Sequence, residues 1–269
     1  PAHCFYTHVI DPCDPSTILC THPQAPFFVV GDRPGNLGLW EIRQANAQPH
    51  LLPQVTSGLT QLQFTPDGST LIMANDQGEF FCLDWSTRTV RHHWQAHAKA
   101  ITSLALSWDG TLLASGDDQG QVKLWHLPTA EYLKTLSRHR GAITALCWLA
   151  GEPSLVSAGW DTSLYWRCPE TGSLQQSVIA QSFLLPIRHL VAHPTTPYAI
   201  AGSQEGKLLY WPLNTNSQGR PNVTQPVAIT IIGSTSILGL ICCQDSPTGA
   251  PTLFAIDQTG HLSVRHLSE

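Results

Sequence analysis

The stretch SGDDQGQVKLW, residues 115–125, decides how the rest of the chain is read. Small residues lead into a polar Asp-Gln-Gly turn, and apolar positions then alternate up to a tryptophan. This is the end of one β-strand, a tight turn and the strand that returns from it. The same form recurs as VGDRPGNLGLW (30–40), ANDQGEFFCL (74–83), SAGWDTSLYWR (157–167), AGSQEGKLLYW (201–211) and AIDQTGHLSVR (255–265). Their final residues, Trp40, Leu83, Trp125, Arg167, Trp211 and Arg265, are separated by 43, 42, 42, 44 and 54 residues. A near-constant step of this length marks a repeat architecture in which each unit is one supersecondary element.

Each unit reads as four strands. In the third, Arg91 to Gln95 precedes Ala96-His97, then Ile101 to Leu106 alternates, the turn 107–110 follows, and Thr111 to Ser115 and Gln121 to His126 complete it. The fourth repeats the scheme from Tyr132 through His139, Ile143 to Trp148, Ser154 to Ser157 and Ser163 to Cys168. Alternation with period two, broken by Asp-Gly, Gln-Gly and Pro turns, predicts antiparallel strands. Val227 to Cys243 is uncharged and apolar over nearly the length of a membrane span. Gly233-Ser-Thr-Ser236 and Gly239 interrupt it, so it is expected to be two buried strands. The long final step holds residues 214–225, rich in Asn, Ser, Gly and Pro, expected as an insertion loop.

On these residues the chain resembles the WD-repeat family of β-propellers, whose units of about 40 to 45 residues are four-stranded blades. The family's Gly-His pair has counterparts in Thr7-His8, Ala96-His97 and Arg138-His139, and its Trp-Asp pair is degraded to Trp40-Glu41, Trp125-His126 and Trp211-Pro212. The resemblance implies an all-β fold, a single propeller over 1–269 with about six four-stranded antiparallel blades. Its ring would be closed by pairing the N-terminal strand, His3 to Thr7, with the last blade. It also implies a structural hydrogen-bond network of His, Ser or Thr, Asp and Trp in each blade. Blade three offers His97, Ser115 and Trp125, with Gln119 at the Asp position; blade four offers His139, Ser157 and Asp161, with Arg167 replacing Trp.

Composition narrows function by exclusion. Lys and Arg number 14 against 19 Asp and Glu, a formal charge of −5, and the basic residues are not clustered. Neither nucleic acid nor a membrane surface is an expected partner. No positive segment followed by an apolar run stands at the start, so the expectation is a cytoplasmic, monomeric protein whose 8 cysteines are reduced. A disulfide among Cys4, Cys13 and Cys20 is the alternative. There is no zinc-type Cys spacing, and His92 and His93 fall on opposite faces of a strand, so no metal or other cofactor is expected. With no nucleophile elbow, phosphate loop or paired carboxylates, catalysis is not expected either.

Recognition remains. In the family the residue before each blade's Asp position points out of the face carrying the turns between second and third strands. Here these are Arg33, Asp76, Asp118, Trp160, Gln204 and Gln258, joined by Thr60, Thr102, Thr144 and Arg188 from the first strands. An exposed Trp160 beside Arg188 has the composition of an interface hot spot. The expected function is a noncatalytic scaffold for a protein or peptide partner. A sensor domain within a larger signalling chain and a small-molecule enzyme using the central channel are the rival readings.

Overall fold

The computed structural model describes residues 18–32, 34–41, 50–54, 58–136, 138–150, 154–168, 174–179, 187–192, 198–203, 206–215, 221–223, 227–231, 236–243, 251–257, 259 and 261–266. Residues 1–101 and 102–269 form two compact units. The first holds two four-stranded sheets, β1 (Ile18–Thr21) to β4 (His50–Leu51) through β2 (Phe27–Gly31) and β3 (Leu37–Glu41), and β5 (Leu59–Phe64) to β8 (Thr89–Gln95) through β6 (Thr70–Asn75) and β7 (Glu79–Asp84).

The sheets of the second unit follow the same order. One comprises β9 (Ile101–Leu106), β10 (Leu112–Asp117), β11 (Val122–His126) and β12 (Glu131–Leu136). The next comprises β13 (Ile143–Trp148), β14 (Leu155–Gly159), β15 (Ser163–Arg167) and β16 (Leu174–Ile179). A five-stranded sheet contains β17 (Ile187–Ala192), β18 (Tyr198–Ser203), β19 (Lys207–Thr215), β20 (Pro221–Val223) and β21 (Val227–Ile231). The last has three strands, β22 (Ile237–Cys243), β23 (Thr252–Asp257) and β24 (Leu262–His266).

The chain is therefore an all-β assembly of antiparallel blades, with five complete blades among the described residues rather than the six expected. The sixth sheet stops at β24 because no described strand pairs with its outer edge; His3 to Thr7, expected there, lie outside the described residues. All six anchor residues fall in third strands. The apolar run 227–243 is two strands, β21 and β22, as its interruptions imply. Within the 214–225 insertion, β20 pairs back on the end of β19, with Asn214 opposite Asn222.

The blades cohere by burying alternate strand residues against the neighbouring sheet. In the first unit Val29, Leu39, Leu59, Leu71, Met73 and Leu83 form one core. In the second unit, Ala114, Leu124, Ile143 and Leu155 join the sheets of β9–β12 and β13–β16. Val156, Leu164, Trp166, Ile187 and Ala199 join the next pair, and Ile200, Leu208, Ile237 and Leu253 the last. Outer strands β8 and β12 are mostly exposed, with charged and polar residues keeping their free edges soluble.

The turns between second and third strands are built by a side chain the sequence stack displays in one column: Asp32, Asn75, Asp117 and Asp257. Asn75 Oδ1 accepts the N–H groups of Gln77 (3.1 Å) and Glu79 (2.8 Å), and Asp117 Oδ1 those of Gln119 (3.0 Å) and Gln121 (2.8 Å). Asp257 repeats this with Thr259 and His261. Gly78 and Gly120 follow in left-handed conformation, φ 83° and 79°. A Cβ on Gly120 would stand 2.5 Å from the carbonyl oxygens of His139 and Gly141, so only glycine fits there.

Blade four departs at both places: Gly159 stands in the acidic column, and Thr162 takes the left-handed position at φ 59°. A β-branched residue there is strained. Thr162→Gly is expected to stabilise the fold by about 0.5–1 kcal/mol, and Gly120→Ala to destabilise it by more than about 1 kcal/mol. Urea unfolding of the two variants checks both signs.

Candidate functional site

The face carrying these turns in the second unit contains a cavity of about 350 Å³ lined by Thr102, Ile143, Thr144, Trp160, Arg188 and His189. Trp160 occupies the tip of the β14–β15 turn, where its N–H is held by the carbonyl of Ala142 at 2.9 Å. Trp160 is 52 % exposed, unusual for so large an aromatic residue in a protein with a well-filled core. The guanidinium carbon of Arg188 lies 5.9 Å from the ring centroid, within cation–π range.

Arg188 reaches this place through a β-bulge. Ile187 pairs with Ser203 and His189 with Gly202, so Arg188 is the extra residue of the two. Ile187 is buried in the core while Arg188 is exposed. The same shift surrounds Thr144, between Ile143 and Ala145, and Thr60, between Leu59 and Gln61. A bulge re-aims a side chain relative to the alternation of its strand. Thr102 uses its hydroxyl differently, donating to the carbonyls of Ile143 (2.6 Å) and Gly116 (3.2 Å), which ties neighbouring blades together. Burial, reinforced by the Arg188 charge, pulls the His189 imidazole below its ordinary pKa, although it donates to the Ile237 carbonyl.

Other expected recognition residues are placed as follows. Asp118 is exposed and lines a second cavity, of about 540 Å³, with Gln119, Arg138, His139, Arg140 and Gly141. Asp76 belongs to the first unit, where it is half-buried and its N–H donates to the Gly58 carbonyl. Arg33, Gln204 and Gln258 lie outside the described residues.

The structural residues are all buried: His97, Ser115, Trp125, His139 and Ser157 deeply, Asp161 in part. Trp125 Nε1 donates to Ser115 Oγ at 2.9 Å. In blade four His139 Nδ1 lies 3.0 Å from Asp161 Oδ1, and His139 Nε2 lies 2.8 Å from Ser157 Oγ. The carboxylate can only accept, so Nδ1 carries the proton and the serine hydroxyl donates to Nε2. That order is also the order of a hydrolase triad. Ser157, however, has 0 % exposure, and a sealed hydroxyl cannot attack a substrate. Burial lowers the His139 pKa against the pull of Asp161, keeping the ring neutral. For Asp161, burial works upward but the bonds from His139, the Arg140 N–H and the Ser163 N–H outweigh it and hold the carboxyl below its usual value.

Among the described residues, no group of three or more His, Cys, Asp or Glu could hold a metal ion. His93 instead stacks on Phe81, 4.3 Å between centroids, and meets Glu79 at 3.0 Å. Cys20, Cys82, Cys147, Cys168 and Cys242 are free thiols, and burial pushes Cys82 and Cys147 up to about 12. No helix among the described residues is long and apolar enough to cross a membrane.

Residues 88–126 and 130–166 match the family described as "WD domain, G-beta repeat", and the matched segments contain the Trp125–Ser115 bond and the blade-four network. These two segments are WD repeats. It is 31 % identical over 141 residues to "Periodic tryptophan protein 2" of Arabidopsis thaliana, a match covering 52 % of this chain and 16 % of that protein. Similarity to a "Protein LST8 homolog" of Drosophila pseudoobscura pseudoobscura is 28 % over 46 % of this chain and 41 % of the relative. A "WD repeat-containing protein 55 homolog" of Drosophila willistoni is 29 % identical over 48 % and 26 %, respectively. The chain thus spans about a sixth of the length of periodic tryptophan protein 2 and well under half of the others.

Arg167, just beyond the second matched segment, stands where the WD-repeat pattern has Trp and is 1 % exposed. Its Nε, Nη1 and Nη2 have no hydrogen-bond partner among the described residues, and the guanidinium lies 5.0 Å from the Tyr165 ring. A buried, unpaired cation is destabilising relative to an apolar side chain of similar volume. Arg167→Trp is expected to gain about 1–3 kcal/mol in urea unfolding, with the new indole donating to Ser157 as Trp125 does to Ser115. A loss of stability would show that the guanidinium is better accommodated than its geometry indicates.

Proposed function

We propose that this WD-repeat chain is a noncatalytic platform that holds a protein or peptide partner on the face bearing Trp160 and Arg188. The observation that carries the reading is the half-exposed indole at a turn tip beside an exposed arginine, both backed by rigid strands. Tryptophan and arginine dominate interface hot spots because one buries a large rigid surface and the other makes several directed hydrogen bonds. The family resemblance supports the same reading, since its members typically act as assembly platforms. Exposed Asp118, in the same unit, would contribute to the polar rim that orients the partner. The sealed Ser157 argues against reading the blade-four trio as a hydrolytic centre.

The test is affinity capture from the native source with wild-type protein and a Trp160→Ala, Arg188→Ala double variant of equal melting temperature. The expected result is a partner retained by the wild type and lost by the variant, with each substitution weakening binding by about 2 kcal/mol. A partner held equally by both would place the interaction elsewhere.

The same reading has His3 to Thr7 pairing with β24 to complete the last blade and so hold the platform closed. Leu262 and Val264, which are 56 % and 47 % exposed on β24, belong to an edge of the kind such a strand would cover. Deleting residues 1–9 should lower both melting temperature and solubility; a truncated chain that melts like the full one contradicts the closure.

A further inference from the structure

The two cavities on the Trp160 face share a wall. The backbone of Gly141 and Ala142 runs between them, and Gly141 lines the larger cavity while Ala142 lines the smaller. Trp160 rises from this wall: its N–H is bonded to the Ala142 carbonyl, and its Cβ lies 3.0 Å from where a Cβ on Gly141 would be. An exposed aromatic ring thus stands at the junction of two polar depressions.

Among the described residues, the charged side chains that line those depressions are mostly basic. Arg138 and Arg140 line the larger cavity and Arg188 the smaller, and all three side chains are exposed. Against them stands exposed Asp118. Asp161, beside Trp160, is already engaged by His139 and by the N–H groups of Arg140 and Ser163. Asp117 is buried, spending its carboxylate on the N–H groups of its own turn. His189 adds no charge to the smaller cavity near neutral pH. The result is a locally basic groove on a chain whose formal charge is −5. Unlike-charge complementarity across such a groove sets which partner is accepted and how fast it arrives.

Resting on the interaction reading above, we infer that the two cavities are subsites of one groove for an acidic peptide segment. An apolar or aromatic residue of the peptide lies on Trp160, and carboxylates on either side meet Arg140 and Arg188. Arg138 donates from Nε to the Gln119 carbonyl at 2.9 Å, so it frames the larger subsite and carries less of the recognition. The arrangement selects against basic segments, which would bring like charge to both ends.

The experiment is fluorescence anisotropy on the full chain with a labelled probe peptide, Glu-Glu-Glu-Phe-Glu-Glu-Glu. Comparison probes are its Gln-for-Glu counterpart, its Lys-for-Glu counterpart and a single-stranded oligothymidylate of equal charge. The acidic peptide is expected to bind about tenfold more tightly than the neutral one, with the preference shrinking as salt rises. Arg140→Glu and Arg188→Glu should each reduce that preference roughly fivefold, and the double reversal should prefer the Lys peptide. Trp160→Ala should weaken the acidic and neutral peptides alike. Melting temperatures accompany each variant, and Arg140→Gln with Arg188→Gln replaces any reversal that does not fold.

Equal binding of acidic and neutral peptides overturns the inference, as does an acidic preference untouched by the arginine substitutions. Tighter binding of the oligothymidylate overturns it in favour of a nucleic-acid groove. If cellular capture depends on Trp160 but the acidic preference is absent, the charge assignment falls and the platform reading stands. If the acidic preference is present but capture ignores Trp160 and Arg188, the platform reading falls instead.

Discussion

The turns between second and third strands rest on one kind of backbone hydrogen bond, made where the chain leaves an outer strand and enters the next blade. The carbonyl of Gly120 accepts the N–H of His139 at 2.9 Å, and the carbonyl of Gly78 accepts those of Ala96 and His97 at the same distance. Each bond clamps the incoming loop against a tight turn, and the clamp requires a glycine whose missing side chain lets two carbonyls approach. The acidic or amide residue three positions before each turn's end holds that turn rigid from the inside. Trp160 is fixed by a variant of the same device, its N–H reaching the Ala142 carbonyl instead. A recognition side chain on such a turn loses little conformational freedom on binding, because the backbone beneath it is already committed.

Much of this was legible in the residues. The repeat step and its alternation gave strand positions such as Ile101 to Leu106 and Ile143 to Trp148, because a buried strand has no other way to place alternate apolar residues. The proximity of Trp160 and Arg188 was also readable, since one stands at the turn tip of one repeat and the other at the start of the first strand of the next. Less visible was the turn column of Asp32, Asn75, Asp117 and Asp257. It stands in the aligned stretches, but an acidic or amide residue that bonds its own turn looks in sequence like the polar, outward residue beside it. The last unit was readable as lacking an outer strand of its own, because the sequence after His266 is too short to supply one, and the described final sheet has three strands. By contrast, a sequence does not announce a β-bulge, which is a property of how two strands meet.

Blade four is where the repeat is most altered and where the candidate site lies. It keeps the His139, Ser157 and Asp161 bonds while accepting a left-handed threonine and a buried arginine with no hydrogen-bond partner among the described residues. Both departures weaken the blade, and the apolar packing on its two faces, through Leu155 on one side and Val156, Leu164 and Trp166 on the other, offsets them. Natural chains frequently carry such local inconsistencies beside functional surfaces. Here exposed Trp160 and left-handed Thr162 share one short turn, and Arg167 ends the strand that leaves it.

The bulge at the start of the first strands has a consequence for how this surface can change. Leu59, Ile143, Ile187 and Ile237 are uniformly large and buried, yet the residues that follow them are Thr60, Thr144, Arg188 and Leu238. The extra residue in each register shift is released from the alternation that governs its neighbours, so its identity is nearly independent of core packing. Mutation can therefore rewrite the chemistry of one position per blade, a hydroxyl here, a cation or an alkyl group there, while the load-carrying register stays intact. A repeat protein built this way can drift towards a new partner in single steps, none of which passes through an unfolded intermediate.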